Sequence, residues 1–197
     1  ITTGEGGVVT TNNKKIYKKI KSLRTHGIVK KISKKSPEGK KRPWMFYQTS
    51  LGLNYRMNDI QASLGISQLK KVNFFLKKRN EIAKIYNTSF KNLPLKLPII
   101  SKKNYSSFHL YIVLVLKNKK KIKRDNLYKK LYAKGIKCNI HYIPVYKHPF
   151  YKKFKFNLKN FPNNEFYFKN AITLPIHPSI TKKQIRFIIN TIKKIFN

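Results

Sequence analysis

Acidic side chains are scarce in this sequence: 6 Asp and Glu stand against 45 Lys and Arg in 197 residues. So few carboxylates leave little from which to build an oxygen-rich Mg²⁺ or Ca²⁺ cage, or the paired acids of a glycoside hydrolase. Cysteine is nearly absent too. Cys138 alone excludes an internal disulfide framework and any Cys-cluster zinc site, and fits a reduced, cytoplasmic setting. Bordering a predicted strand, it reads as a small core residue before a nucleophile. The five histidines, His26, His109, His141, His148 and His177, lack the HExxH spacing of a metal site. Long apolar runs are missing as well: Leu110–Leu116 is strand-like and Ile185–Ile195 amphipathic, and neither reaches the length of a membrane span. No secretory leader pattern is visible. The first residue is Ile1, not Met, and it falls inside what reads as ordered structure, so a fragment is expected.

What is abundant is lysine. The formal net charge of +39 invites a nucleic-acid reading, since clustered cations bind phosphate backbones. Only six cations are Arg, the residue of bidentate phosphate and base recognition, and the lysines are dispersed over every predicted element rather than gathered in one block. Lys, Ile and Asn together make up about two-fifths of the chain, as expected of coding sequence rich in A and T. Surface decoration explains the charge at least as well as a nucleic-acid footprint. Against this background Leu51–Leu69, LGLNYRMNDIQASLGISQL, holds no lysine, which suggests side chains that are packed or aimed at something specific.

The glycines of ITTGEGGVVTT separate two short β-branched runs, a hairpin signature. Ile16, Ile20 and Leu23 give one helical face over 13–23, with Gly27 a plausible stop. Lys30 to Gln48, with Pro37, Gly39 and Pro43, reads as a long exposed loop whose Trp44–Tyr47 end docks back; loops of this length are often functional. Asn58 or Asp59 caps the next helix, whose Ile60, Ala62, Leu64, Ile66 and Leu69 point to broad burial. Gly65 is tolerable there if another backbone comes close. A second helix runs from about Val72 to Phe90, and Pro94 and Pro98 bracket a linker. Then come a strand over 108–116, a helix from Arg124 to Ala133, a strand over IKCNIHY (136–142), and a Pro-punctuated loop. A short helix near Glu165–Asn170, a strand at Ala171–Leu174 and a helix opened by the capping box Thr181–Gln184 complete the chain. The order from Ser106 describes a small α/β domain, so residues 1–93 and 94–197 are expected to form two domains.

Three places offer chemistry. Gly4–Gly7 (GEGG) can cradle an anion on backbone N–H groups but matches no phosphate-loop motif; a tight hairpin turn is the better local reading. Asn54-Tyr55-Arg56 places an amide, an aromatic and a cation just before a helix start, where an anion is well received, or where a capping turn needs no ligand. Asn139-Ile140-His141-Tyr142 puts polar groups at a strand end, where α/β folds hold ligands, or forms an ordinary edge strand.

ITTGEGGVVTTN, LRTHGI, LGLNYRMNDIQASLGISQL, KKRNEIAKIYN, HLYIVLVL, LYAKGIKCNIHYIPVY and LPIHPSIT occur in the order seen in the DegT/DnrJ/StrS sugar aminotransferases, which the whole chain resembles. The resemblance implies a pyridoxal 5′-phosphate (PLP) type I aminotransferase fold, here the end of the large domain (hairpin plus helices) followed by a small α/β domain. It also implies a homodimer with shared active sites, and amino transfer from glutamate to the keto carbon of a nucleotide-linked sugar. HYIPVY and the NYRMNDIQASLGISQLKK run are most similar to the branch acting on UDP-linked 4-keto-6-deoxy-N-acetyl sugars on the way to pseudaminic acid. Asn54 matches the amide that reaches the PLP phosphate of the neighbouring subunit, and Arg56 matches the family arginine that supports this turn. Asn139, Ile140, His141 and Tyr142 match the segment lining the sugar-nucleotide site, where family members often carry Gln at the position of Asn139. The Lys30–Gln48 loop matches a variable loop near the active-site mouth. The Schiff-base lysine of the family lies two residues before the position of Ile1, so no catalytic residue is expected within the 197, and the chain alone is expected to be inactive.

Overall fold

A computed structural model describes residues 1–30 and 44–197. The body of the Lys30–Gln48 loop lies outside the described residues. Two compact units divide at Val72/Asn73, and each is taken by itself.

In the first unit, α1 (Lys14–Leu23) starts at Asn13, whose side-chain oxygen accepts from the N–H groups of Lys15 and Ile16, satisfying two otherwise orphaned donors. β1 (Ile28–Val29) and β2 (Tyr47–Gln48) pair antiparallel. This pairing, with half-buried Met45 and Tyr47, is how the end of the long loop docks; Trp44 and Phe46 stay exposed. α2 (Asp59–Lys70) opens with a complete capping box, Asn58 with Gln61. Two expectations fail in this unit. The Gly4–Gly7 hairpin does not form: Gly4 takes a turn conformation (φ 77°), but residues 1–13 contain no strand and Val8 and Val9 are exposed. An isolated two-stranded ribbon with no apolar support is marginal in water. And α2 buries no residue; Ile60 is 83% exposed, Ile66 60% and Leu69 59%. Its apolar residues encircle the helix, and the described residues leave most of them uncovered.

The second unit holds the hydrophobic core. α3 (Val72–Phe90) turns Ile82, Ala83, Tyr86 and Phe90 inward, which places this helix with the second unit and moves the division ahead of the expected 93/94. β3 (Leu95–Lys96), β4 (Tyr111–Val115) and β5 (Ala171–Leu174) form an antiparallel sheet in the order β3-β4-β5, so the stretch between Pro94 and Pro98 carries a short strand and not only a linker. α4 (Arg124–Ala133) contributes Leu127 and Leu131 to the core. After three 3₁₀ turns (Val145–Lys147, Pro149–Phe154, Leu158–Asn160) comes α5 (Pro162–Asn170). α6 (Lys182–Phe196), opened by the Thr181–Gln184 box, lays Ile185, Ile188, Ile189 and Ile192 into the core. Tyr86 sits at its centre, with ring centroids 5.4 Å from Phe90 and 5.0 Å from Tyr111, and donates its hydroxyl to Pro175 O at 2.9 Å, so this buried polar group is satisfied. Cys138 is buried as expected, and burial pushes its thiol up to about 12. Arg79 Nη1 donates to three carbonyls, Phe108 (3.0 Å), His109 (3.1 Å) and Ile176 (2.9 Å), binding α3 to two loops.

Candidate functional site

The Asn54 turn is built by close backbone approach. Leu53 N donates to Leu23 O (2.7 Å), Tyr55 N to Arg24 O (2.9 Å) and His26 N to Leu53 O (3.0 Å), with Thr25 and Asn54 in a bridge. Two glycines allow this. A Cβ on Gly52 would collide with the backbone of Gly27, His26 and Leu23, and one on Gly27 (φ 68°) with Ser50 O. Three residues on, Asn58 fixes the start of α2, accepting from Gln61 N at 2.9 Å. Residues 54–56 are thus held at both ends while all three side chains are exposed.

The side-chain amide of Asn54 has no hydrogen-bond partner among the described residues. It is a neutral donor on a rigid perch, and it fits an oxyanion such as the phosphate of PLP, which backbone and amide N–H groups satisfy without adding charge. Arg56 makes no hydrogen bond or ion pair among the described residues, so the backbone and the glycines hold this turn and the expected support from Arg56 is not seen. Arg56 remains an exposed cation beside Asn54 that an anion can meet.

In the second unit, IKCNIHY is not the continuous strand expected. It joins the sheet at one bridge: Asn139 N donates to Thr173 O (3.2 Å) and Thr173 N to Asn139 O (2.8 Å). The Asn139 side chain then accepts from Ile140 N (2.7 Å), diverting the backbone from the ladder; the next peptide bond but one, His141–Tyr142, is cis. His141 Nδ1 lies 2.7 Å from Thr173 Oγ1, and its ring meets Tyr142 edge-on, centroids 4.7 Å apart. The four residues therefore differ in availability. Asn139 is occupied locally, Ile140 and His141 are half-buried, and the Tyr142 ring is 72% exposed.

Two contributors escaped sequence reasoning. Thr173, on β5, orients His141. Glu165, on α5, accepts from Tyr146 Oη (2.9 Å) and Lys147 Nζ (2.8 Å); the Lys147 hydrogen bond first, with that of Tyr146, holds its carboxyl below the ordinary range. The usable signal for Glu165 was scarcity, since an acid in so basic a chain has many cations to choose from. Among the described residues no three His, Cys, Asp or Glu side chains gather as a metal site, and no helix is long and apolar enough to cross a membrane.

Known proteins resemble this chain along nearly its whole length. The chain is 37% identical to the UDP-4-amino-4,6-dideoxy-N-acetyl-beta-L-altrosamine transaminase of Campylobacter jejuni, over 99% of this chain and 49% of that protein. It is 44% identical to the uncharacterized protein MJ1066 of Methanocaldococcus jannaschii, over 99% of this chain and 50% of that one. Among solved structures, the PMP form of the putative sugar aminotransferase Spr1654 from Streptococcus pneumoniae superposes with a TM-score of 0.80 at 28% identity, covering 94% of this chain and 46% of that chain. Helicobacter pylori PseC, an aminotransferase involved in the biosynthesis of pseudoaminic acid, gives 0.76 at 30% identity, covering 94% and 47%. The chain spans about half the length of the curated relatives it matches. Residues 1–193 match one family along their whole extent, and the chain belongs to it: the DegT/DnrJ/EryC1/StrS aminotransferases.

Proposed function

We propose that these residues form the C-terminal part of a PLP-dependent enzyme that moves an amino group from glutamate to the keto carbon of a nucleotide-linked 4-keto-6-deoxy sugar. The acceptor in this reading is a UDP-linked N-acetyl sugar of the pseudaminic acid type, the chemistry named for the Campylobacter and Helicobacter relatives. The observation that carries the reading is the Asn54 amide, exposed and unpartnered on a turn fixed at both ends. When bound, PLP supplies an electron sink that labilises the bonds of the carbon bearing the amino group.

The chain's own residues would bind and orient. Asn54 donates to the cofactor phosphate of a partner subunit without altering the charge at the ring, and Arg56 adds a cation beside it. Asn139, Ile140, His141 and Tyr142 line the sugar-nucleotide side, with Thr173 holding the His141 ring. The exposed apolar residues of α2 support a homodimer in which further polypeptide covers them. The reading places the enzyme in the cytoplasm and gives the 197 residues alone no turnover.

A basic nucleic-acid-binding domain is the competing reading. It predicts steeply salt-dependent binding with a clustered footprint, and the family match favours the enzyme over it. The test is cofactor retention by the full-length protein: Asn54→Ala is expected to weaken PLP binding by about 1.5–3 kcal/mol, one hydrogen bond to a charged group. Unchanged retention removes Asn54 from the site, and absence of any glutamate-dependent spectral change in the PLP-loaded protein removes the aminotransferase.

A further inference from the structure

The loop that follows Tyr142 is secured by a single carboxylate. Glu165 is 16% exposed in its side chain and joins α5 to the turn Val145–Lys147 through Tyr146 Oη and Lys147 Nζ. The other described ion pairs do nothing comparable: Lys78–Glu81 is a surface pair one helical turn apart, and Arg124–Asp125 joins sequence neighbours. Tyr146 is pinned on its face as well, stacked on Phe161 with centroids 4.8 Å apart and planes 18° apart. Lys147 Nζ lies 5.3 Å from the Phe168 ring centroid, a cation–π distance. Phenol, ring and ammonium are all fixed, and the backbone from Tyr142 to Tyr146 becomes a wall facing α5.

Between that wall and α5 lies a groove of about 340 Å³, lined by Tyr142, Pro144, Tyr146, Asn164, Tyr167 and Phe168 among others. The volume is that of a small-molecule site, and such sites combine flat apolar walls with a few polar groups. Here the walls are aromatic faces and the polar groups are phenols and the Asn164 amide. No cation is among these lining residues, and the ammonium of Lys147, next in sequence to Tyr146, is paired with Glu165. In so basic a protein this lining disfavours a phosphate and suits an uncharged planar ring with a hydrogen-bonding edge.

We propose that this groove is the subsite for the nucleobase of a nucleotide-linked substrate, and that Glu165 is the positioning residue that fixes its wall through Tyr146 and Lys147. The ligand class rests on the aminotransferase reading above; the groove and its support do not. Glu165 touches no substrate. It acts by holding Tyr146 and Lys147 in place, since the turn's own backbone bonds, Lys147 N to Pro144 O and His148 N to Val145 O, do not tie it to α5. The charged and titratable groups facing Glu165 are Tyr146 and Lys147 from the turn and Lys169 from its own helix. The carboxylate must be ionised to hold Lys147, so the wall is intact above the ordinary carboxylate range and loosens as pH falls through the depressed Glu165 value.

The experiment titrates the full-length protein with UDP and, separately, with inorganic pyrophosphate, at salt high enough to screen diffuse attraction to lysines. Wild type is expected to prefer UDP. Glu165→Ala should weaken UDP about tenfold, equivalent to ~1.4 kcal/mol, and leave pyrophosphate unchanged. Glu165→Gln keeps an acceptor for Tyr146 but, being neutral, gives up the ion pair to Lys147; it guards against misfolding of the alanine variant and should show, at every pH, the weakened UDP affinity that wild type reaches at low pH. The low-pH loss of UDP affinity seen in wild type should vanish in Glu165→Gln. Equal UDP affinity in wild type and Glu165→Ala, or a parallel loss of UDP and pyrophosphate, overturns the proposal. Glutamate-dependent turnover is assayed apart: its absence with base-selective UDP binding intact sinks the aminotransferase reading and leaves the subsite standing.

Discussion

Helices α2 and α6 begin alike and end up in opposite environments. Both open with a full capping box, Asn58 with Gln61 and Thr181 with Gln184, and both are rich in branched aliphatic residues, Ile and Leu in α2 and Ile in α6. Yet α6 buries four isoleucines and α2 buries none. The difference lies in arrangement. In α6 the apolar positions recur at helical spacing with lysines opposite, so one face meets the core and the other meets water. In α2 they surround the axis, and a helix apolar on all sides is stable only when covered on all sides. A capping box therefore establishes where a helix starts, not what it packs against. The two units repeat the contrast. The second has a contiguous core, whereas the first, among the described residues, has no fully buried residue except Gly27 and is held by hydrogen bonds and glycine contacts.

The largest expected effect that tests this contrast is Ile192→Ala in α6, which should cost about 2–5 kcal/mol of unfolding free energy by leaving a core cavity. Ile66→Ala in α2 should change the stability of the 197-residue chain by no more than about 0.5 kcal/mol, as at other exposed positions. Equal costs in chemical denaturation would erase the distinction. An intermediate effect is expected from Gly52→Ala, on the order of 1–3 kcal/mol for forcing a methyl into a filled space, here against backbone atoms that cannot rotate away. Hydrogen exchange at His26, Leu53 and Tyr55 should accelerate while exchange in β4 and β5 stays unchanged; uniform acceleration would mean that the first unit does not stand on these contacts.

The smallest effect concerns Cys138. Its thiol is raised to about 12 from an ordinary 9.0, so the unfolded chain ionises first and the thiol's contribution to stability is present below about pH 9 and lost as pH rises. Thiol labelling near neutrality should thus follow opening of the second unit, faster in Ile192→Ala and unaltered in Ile66→Ala. Rapid labelling of the wild type would show that this core is open.

Much of the second unit was legible because local signals agreed with tertiary demand: α4 and β5 fall at the expected residues, α3 and the start of α6 likewise. IKCNIHY misled because its β-branched and polar alternation has a backbone partner only at Asn139, whose side chain then takes the next N–H. β3 was hidden because two prolines flank so short a strand. The exposure of α2 was invisible, since periodicity reports how apolar a helix is and not whether anything covers it. At the candidate site, Asn54 and His141 could be named from the motifs, but the parts that hold them could not. The Gly27–Gly52 approach, Thr173 and Glu165 each depend on segments far apart in sequence coming together.

The guanidinium of Arg79 has a practical consequence for anyone who wishes to re-engineer the charge of this chain. Among the described residues most cations are exposed lysines that can be exchanged for neutral or acidic residues to improve handling, with little structural cost at isolated positions. Arg79 gathers three carbonyls from two loops around a single nitrogen, Nη1, and a neutral aliphatic or acidic replacement would leave all three without that donor. A redesign that lowers the net charge by rewriting cations wholesale should therefore treat Arg79 as part of the backbone scaffold and leave it untouched.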